Sequence, residues 1–600
     1  MTGNTDQADF LFGVENSLMG RAWMVRPFDM REALAISQRF DLPEIVGRLL
    51  AARGQTIDTT ETFLNPSIKE CMPDPSVMRD MDKAADILSD AVLNDQTIAI
   101  FGDYDVDGAT STSLLITYLG HLGVKTLYYI PDRQKEGYGP NSAAFQSLKQ
   151  QGADVIITVD CGIMSFEPVQ TAKDLGLKVI IVDHHKAETD LPVADAIVNP
   201  NRLDDNSGLG MLAAVGVTFM LIVALNRSLR QKDRFNKNTQ APNILRLLDV
   251  VALGTVCDIV PLMGLNRVFV KQGLKQLALR QNIGLTALSD QAGLDQKPTP
   301  YHLGFVLGPR INAGGRVGKA SMGTDLLVNN QPETAMQLAV QLANFNDERK
   351  EIEAGVENDA LSSIFDEVGM GNAPWPAVMI LGEGWHSGVI GIVASRLKDR
   401  FNRPTLVCSE DQEGVIKGSA RSITGVDIGA IILEARHKGL IEAGGGHAMA
   451  AGVTLNRQQY EGFKAFFMTK IEDAVALALK EQVTHVDGLL TISGITGELI
   501  DQIDELEPFG VGNPGPKFAI ANCKVSKADI IGGNHVRVFL EGPEGGRIKA
   551  MAFRSADSDL GSTLLANQGK KFHVIGKIKR DTWMGRDGVE MTIDDAVLLS

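Results

Sequence analysis

Cysteine is scarce in this sequence: five residues in 600, Cys71, Cys161, Cys257, Cys408 and Cys523, with no Cys-x-x-Cys pair among them. That argues against a disulfide framework or a thiolate zinc site and fits a reducing compartment. A long apolar run is also missing. The most hydrophobic stretch, Gly210–Leu225, falls short of the roughly 20 residues a bilayer-spanning helix needs and predicts a buried helix instead. The opening MTGNTDQADFLFGVENSLMG has no basic start followed by an apolar core, so no secretory signal is expected and the predicted location is the cytoplasm. Positive charge is not in excess either. A net charge of −16 excludes a surface that is basic all over, yet allows a local basic groove for phosphates. Low-complexity tracts and tandem repeats are absent from the sequence.

What is present is a series of distinct patterns. Six hundred residues exceed what one core holds, so several domains are expected. Residues 1–90 carry helical patterns broken by Gly54, Pro66 and Pro73 and predict an N-terminal helical cap with a short disordered start. From Thr97, β-branched runs (TIAIFGD, KTLYYIPD, VIITVD, KVIIVDHH, AIVNPN, LLDVVALGTVCDIV) alternate with amphipathic segments. Strands alternating with helices predict an α/β fold with a mostly parallel sheet over 91–330. Residues 331–366, rich in Ala, Leu, Glu and Gln, predict a long connecting helix. A second α/β pattern follows over 367–482, and short strands with Gly and Pro turns over 483–600 predict a small β-barrel.

Asp103, Asp105 and Asp107 follow the apolar strand TIAIF at i, i+2 and i+4, just before Gly108. In an extended segment that spacing puts three carboxylates on one side, where they repel unless cations hold them; their hard oxygens suit Mg²⁺ or Mn²⁺. Alone, such a segment reads equally well as a solvated Asp/Gly turn. Further apolar runs end the same way, at Asp160, at Asp183-His184-His185 and at Asp258. Ligands gather at the carboxyl ends of parallel strands, so the four run ends together predict a two-metal site. Cys161 and Cys257 stand beside these residues and are read as small packing residues.

The run Asp183-His184-His185, with FGDYDVDGATST, VDCG, NPN, GTVCDIVPL, GPRINAGGR, WHSGVIGIVASRL, GGGHAMAAG and LEPFGVGNP in that order, resembles the DHH phosphoesterase superfamily. More narrowly, the series is similar to that superfamily's single-strand-specific 5′-to-3′ DNA exonucleases. The resemblance implies a DHH domain, a DHH-associated second α/β domain and a C-terminal OB-like barrel. It implies two divalent ions, Mn²⁺ or Mg²⁺, held by Asp103, Asp105, Asp107, Asp160, His184 and Asp258. Asp160 would bridge them and His185 would face the scissile phosphate. In many relatives a histidine lies four residues before the first aspartate of the pair; Phe101 stands there, and Asp103 is expected to replace it, as a ligand or from behind one.

Substrate contacts are expected at Arg310, Asn312 and Arg316 of the Gly-Arg segment GPRINAGGRVG, read as a phosphate cradle of glycine-freed amides and guanidinium forks. Others are expected at His386, Arg421 and the glycine-rich loop Gly444, Gly445, Gly446 and His447. Lys570, Lys571, Lys577, Lys579, Arg580 and Arg586, interleaved with Phe572 and Trp583, suit backbone charge contacts plus base stacking. The implied function is 5′ exonuclease action on single-stranded DNA in repair and recombination. A monomer is expected, with a single-strand-binding protein and a helicase as partners. The rivals are a DHH hydrolase of short oligonucleotides or cyclic dinucleotides and a non-catalytic scaffold.

Overall fold

The computed structural model describes residues 10–132, 136–236, 239–368, 375–581 and 588–599. The expected disordered start, at residues 1–9, lies outside them, as do Trp583 and Arg586. The chain divides into two compact units, Met72–Val260 with Gly264–Glu481, and Met1–Cys71 with Pro261–Met263 and Gln482–Ser600.

In the larger unit the runs TIAIF, VIITV and KVIIV form buried strands, as continuous β-branched runs do when a parallel sheet is covered on both faces. The sheet runs Thr126–Tyr129, Ile98–Gly102, Val155–Val159, Lys178–Val182, Ala196–Val198, with every pair parallel. Gly102, Val159, Val182 and Val198 lie in register across four strands. The next residue of each, Asp103, Asp160, Asp183 and Asn199, therefore emerges along one edge. Phe101 is fully buried, stacks on Tyr129 and meets Phe145 edge to face, so it is a core residue.

Two expectations here are corrected. The run ending in GTVCD is the helix Leu248–Cys257, with Asp258 as its C-cap; a short all-apolar run fits a buried helix as well as a strand. Gly254 lets that helix press against Val106–His121: a Cβ there would meet Thr110 Oγ1 at 2.2 Å and Asp107 Oδ1 at 3.1 Å. Nor is the acidic segment extended. Asp105 is the N-cap of Val106–His121, accepting from Gly108 N at 3.0 Å, and Asp107 sits in its first turn. The apolar stretch at 210–225 feeds the buried helix Ala214–Gln231. Among the described residues no helix is long and apolar enough to cross a membrane.

The helix Pro332–Val368 leads to a second sheet ordered Ala443–His447, Ala450–Asn456, Val415–Arg421, Thr405–Glu410, Val378–Glu383. In the smaller unit, helices Met30–Phe40, Glu44–Ala51 and Ile57–Leu64 accompany a six-stranded sheet, five strands of which close into a barrel where Phe518–Ile531 pairs with Lys571–Asp581. Strand Ala22–Val25 lies parallel to Val483–Val486, and Asp595 accepts hydrogen bonds from the Trp23 indole and the Met19 amide. Helix Met81–Leu93 belongs to the larger unit, where Ser89 reaches Ser228 of Ala214–Gln231.

Candidate metal centre

Asp103, Asp107, Asp160 and Asp183 are all nearly inaccessible to solvent. Asp160 takes a left-handed backbone (φ 61°) as it leaves its strand, and its amide donates to Val182 O at 3.0 Å. Asp107 accepts from the amides of Ala214 (2.7 Å) and Val215 (2.9 Å), so the positive end of helix Ala214–Gln231 is aimed at it. Ligand atoms of Asp103, Asp105 and Asp160 lie within 4.8 Å of one another; the same holds for Asp107, His184 and Asp258, and for Asp160, His184 and His185.

The electrostatics of this cluster are unfavourable without a cation. Burial, then the charge of Asp105, pushes Asp107 up to about 7 against the amide bonds that favour its anion. Burial and the charges of Asp107 and Asp105 push Asp258 up to about 9. Burial, followed by four neighbouring aspartates, raises Asp160. Asp258 Oδ2 is buried with no hydrogen-bond partner. Carboxylates so placed resist ionisation unless an external charge stabilises them.

His184 completes the arrangement. Its Nδ1 lies 3.1 Å from Leu212 O, and a carbonyl only accepts, so Nδ1 carries the proton. Burial, with the charge of His185, lowers its pKa to about 4. The ring is therefore neutral and Nε2 bare. Yet Nε2 faces Asp160 Oδ1 at 3.4 Å and Asp258 Oδ2 at 3.6 Å. These contacts are not ion pairs: with both carboxylates ionised a lone pair confronts two acceptor oxygens, so that either a carboxyl proton or a cation must lie between them. A nitrogen fixed in this tautomer by its second nitrogen's hydrogen bond is the usual form of a metal-binding imidazole.

Asp183 plays a different part. Its carboxylate accepts from His184 N (2.7 Å), His185 N (3.1 Å), His185 Nδ1 (2.7 Å) and Ile163 N (3.0 Å). Burial opposes its ionisation, but the hydrogen bonds and charge of His185 outweigh it and hold the carboxyl below its ordinary value. The same contact raises His185 despite burial, which pulls the other way. Tyr138, which sequence reasoning missed, donates to Asp160 O at 3.0 Å and lies 3.3–3.4 Å from the His185 ring nitrogens. Cys161 lies 3.4 Å from Val159 O and Cys257 3.5 Å from Leu303 O; burial pushes both thiols up.

Of the residues expected at the substrate, three converge on one segment. Arg316 Nη1 donates to Gly388 O at 2.5 Å, His386 Nδ1 accepts from Gly388 N at 3.1 Å, and Arg421 Nη2 lies 3.0 Å from where a Cβ on Gly391 would stand. The expected phosphate-cradling loop is instead the helix Gly308–Val317, whose amides are largely spent on the helix itself. Its glycines serve close packing: a Cβ on Gly315 would stand 2.8 Å from Tyr104 O, which brings this helix against the acidic loop. Arg310 bonds Gln291 and Val306 O, and Asn312 is half-buried on the same helix. Gly444, Gly445, Gly446 and His447 form an edge strand and not a loop. Gly446 is required there, since a Cβ would meet Ala450 O at 2.3 Å.

On the barrel, Phe572 is fully buried and is no stacking platform, because alternation turns it into the core. Lys579 bonds Glu590 and Arg580 bonds Asp501, while Lys570, Lys571 and Lys577 are exposed. Among the described residues, Phe553 is an exposed ring on this surface, beside His535 and Lys579.

A parallel sheet that delivers an Asp-His-His run and further aspartates to one edge defines the DHH class of phosphoesterases. The chain matches the models of the DHH family N-terminal domain (residues 97–255), the DHHA1 domain (376–473) and the RecJ OB domain (486–595). It is 33% identical over 585 residues to the single-stranded-DNA-specific exonuclease RecJ of Bacillus subtilis, covering 96% of this chain and 71% of that one. It is 37% identical over 513 residues to RecJ of Escherichia coli, covering 84% and 88%. Among solved structures, RecJ of Thermus thermophilus in complex with Mn²⁺ aligns with a TM-score of 0.78 at 25% identity, over 96% of this chain and 79% of that one. The chain belongs to the RecJ family.

Proposed function

We propose that this chain is a divalent-metal-dependent exonuclease that hydrolyses phosphodiester bonds of single-stranded DNA from the 5′ end, serving DNA repair and recombination. The observation that carries the reading is the bare Nε2 of His184 set against Asp160 and Asp258, an arrangement that becomes all acceptors once the carboxyls ionise, and into which a cation then fits. The donor set, carboxylate oxygens with an imidazole and no thiolate, suits Mg²⁺ or Mn²⁺. Asp103, Asp105 and Asp160 would hold one ion and Asp107, His184 and Asp258 the other, with Asp160 between them. Two such ions would neutralise the phosphate, lower the pKa of the attacking water and stabilise the leaving oxygen. The manganese in the Thermus relative supports the assignment.

The protein's own groups supply the rest. Asp183 takes the Nδ1–H of His185 and its charge favours the doubly protonated ring, whose Nε2–H then donates a hydrogen bond to the phosphate as charge develops on it. Arg316, Arg421 and His386, gathered at Ser387–Gly391, provide guanidinium and imidazole contacts for a second phosphate. Arg310 and Asn312 act from the helix that carries Arg316, and the strand Gly444–His447 offers backbone to the DNA. The barrel, a fold that serves as a single-strand platform, favours a polymer over a dinucleotide. Action in the cytoplasm as a monomer, alongside a single-strand-binding protein and a helicase, belongs to the same reading.

The test uses 5′- and 3′-labelled single- and double-stranded DNA and RNA with the purified chain, with and without Mn²⁺. Early Mn²⁺-dependent release of the 5′ label from single-stranded DNA is expected. Early loss of the 3′ label, with the 5′ label kept in shortened fragments, refutes the polarity; absence of hydrolysis despite bound Mn²⁺ refutes the enzymatic reading.

A further inference from the structure

The edge that bears the acidic cluster also bears Asn199. It occupies the position in register with Asp103, Asp160 and Asp183, one residue beyond the aligned Val198. It is fully buried, and a buried amide is retained only where its hydrogen bonds are met. Its Nδ2 donates to His185 O at 2.9 Å and its Oδ1 accepts from Asn201 N at 2.8 Å. Asn201 in turn donates from Nδ2 to His184 O and, at 3.1 Å, to Gly210 O. The two-histidine segment is thus gripped from both sides. Asp183 accepts both of its amides, and the two asparagines donate to both of its carbonyls.

The grip continues into the loop that fixes the His184 ring. Gly210 O takes Asn201, Met211 O takes Asn266 at 2.6 Å, and Leu212 O takes His184 Nδ1 at 3.1 Å. Two residues later the amides of Ala214 and Val215 reach Asp107. Asn201 therefore ties the backbone of His184 to the same short segment that orients its ring and anchors Asp107. Gly210 makes the approach possible: a Cβ there would stand 2.5 Å from Asn201 Oδ1.

We infer that Asn199 and Asn201 are positioning residues for the metal centre, setting the backbone of His184 and His185 so that the His184 Nε2 meets Asp160 and Asp258. The inference rests on the metal-site reading given above. Neither asparagine is a ligand; each acts through a histidine carbonyl.

The experiment titrates Mn²⁺ alone into the metal-free full-length chain and follows the free-ion signal by electron paramagnetic resonance. It is joined by kcat and KM on single-stranded DNA and by the unfolding midpoint of the metal-free protein. The variants are Asn201→Ala and Gly210→Ala. The second leaves Asn201 chemically intact and only pushes the end of its side chain aside, so it perturbs the site without removing a polar group. Both should bind Mn²⁺ about 10- to 100-fold more weakly, the usual cost of losing an outer partner of a metal ligand. kcat should fall while KM for DNA stays within about twofold, since neither residue touches the strand. In a His184→Ala background, Asn201→Ala should cause no further loss of Mn²⁺ affinity. A wild-type isotherm in either folded variant, or full additivity with His184→Ala, overturns the inference. His184→Ala by itself separates the two levels: unaltered Mn²⁺ binding by that variant refutes the metal-site reading, whereas weakened binding there with normal binding by Asn201→Ala refutes only the positioning role.

Discussion

Stripping the metal should make this protein less stable as pH rises. Asp107 is pushed up to about 7 in the folded, metal-free chain, against an ordinary value of about 3.9 when unfolded. The unfolded state therefore loses its proton first on the way from pH 4 to pH 7. Over that interval the folded state binds more protons, so stability falls by about 1.4 kcal/mol per pH unit for this group. The cost is absent below pH 4 and complete above pH 7, where it amounts to about 4 kcal/mol. Asp258, at about 9, and Asp160 shift in the same sense, whereas His184, lowered to about 4, opposes them below its ordinary value, so the decline is clearest above about pH 6.5. The larger unit spans about 400 residues; with about 2 cal/mol/K of unfolding entropy per residue, 4 kcal/mol lowers the midpoint by roughly 5 °C. Differential scanning calorimetry of the EDTA-treated protein from pH 4 to 8 measures this. Saturating Mn²⁺ should reduce the decline, adding about 2.7 kcal/mol per ion at a hundred times Kd. Asp258→Asn, at a carboxylate whose Oδ2 has no hydrogen-bond partner, should raise the metal-free midpoint at pH 8 and blunt the response to Mn²⁺. A metal-free midpoint that is flat or rising from pH 5 to 8 would refute the reasoning.

Three further outcomes follow from the same geometry. Asp160→Ala, at the residue shared by two of the ligand groups, should abolish Mn²⁺-dependent hydrolysis with the far-ultraviolet circular dichroism unchanged; near-normal turnover would remove Asp160 from the site. Asp183→Asn removes the charge that favours protonated His185 and leaves one acceptor oxygen for four donors, and should lower kcat about 10²- to 10⁴-fold, the range for a mispositioned acid–base group, read by single-turnover kinetics. Arg421→Ala should raise KM for 5′-phosphorylated single strands more than it lowers kcat. Equal KM values for wild type and variant would argue against phosphate contact at Ser387–Gly391.

Much of this site could be read from residue order alone. An apolar β-branched run must be buried, a parallel sheet aligns its strand ends, and so the residue after each run had to collect with the others; Asp103, Asp160 and Asp183-His184 follow from that rule. The rule failed at Asp258, because a mostly apolar run of ten residues is compatible with helix or strand, and Gly254 lets a helix lie close to Thr110 and Asp107. It failed again at GPRINAGGRVG and GGGH, where glycine permits a loop but here permits close packing against Tyr104 O and Ala450 O. Local pattern reports what a glycine allows; only the neighbouring chain reports what it is used for.

By itself, then, the sequence determined which residue types reach the sheet edge, since burial and strand alternation act over a few residues. Only the tertiary structure decided their roles. Asp183 became the holder of His185, and His184 was left with a bare Nε2, because Ile163, Leu212, Asn199 and Asn201 arrive from other segments. Protonation and tautomer depend on hydrogen-bond partners and on burial, and both are set by segments distant in the chain.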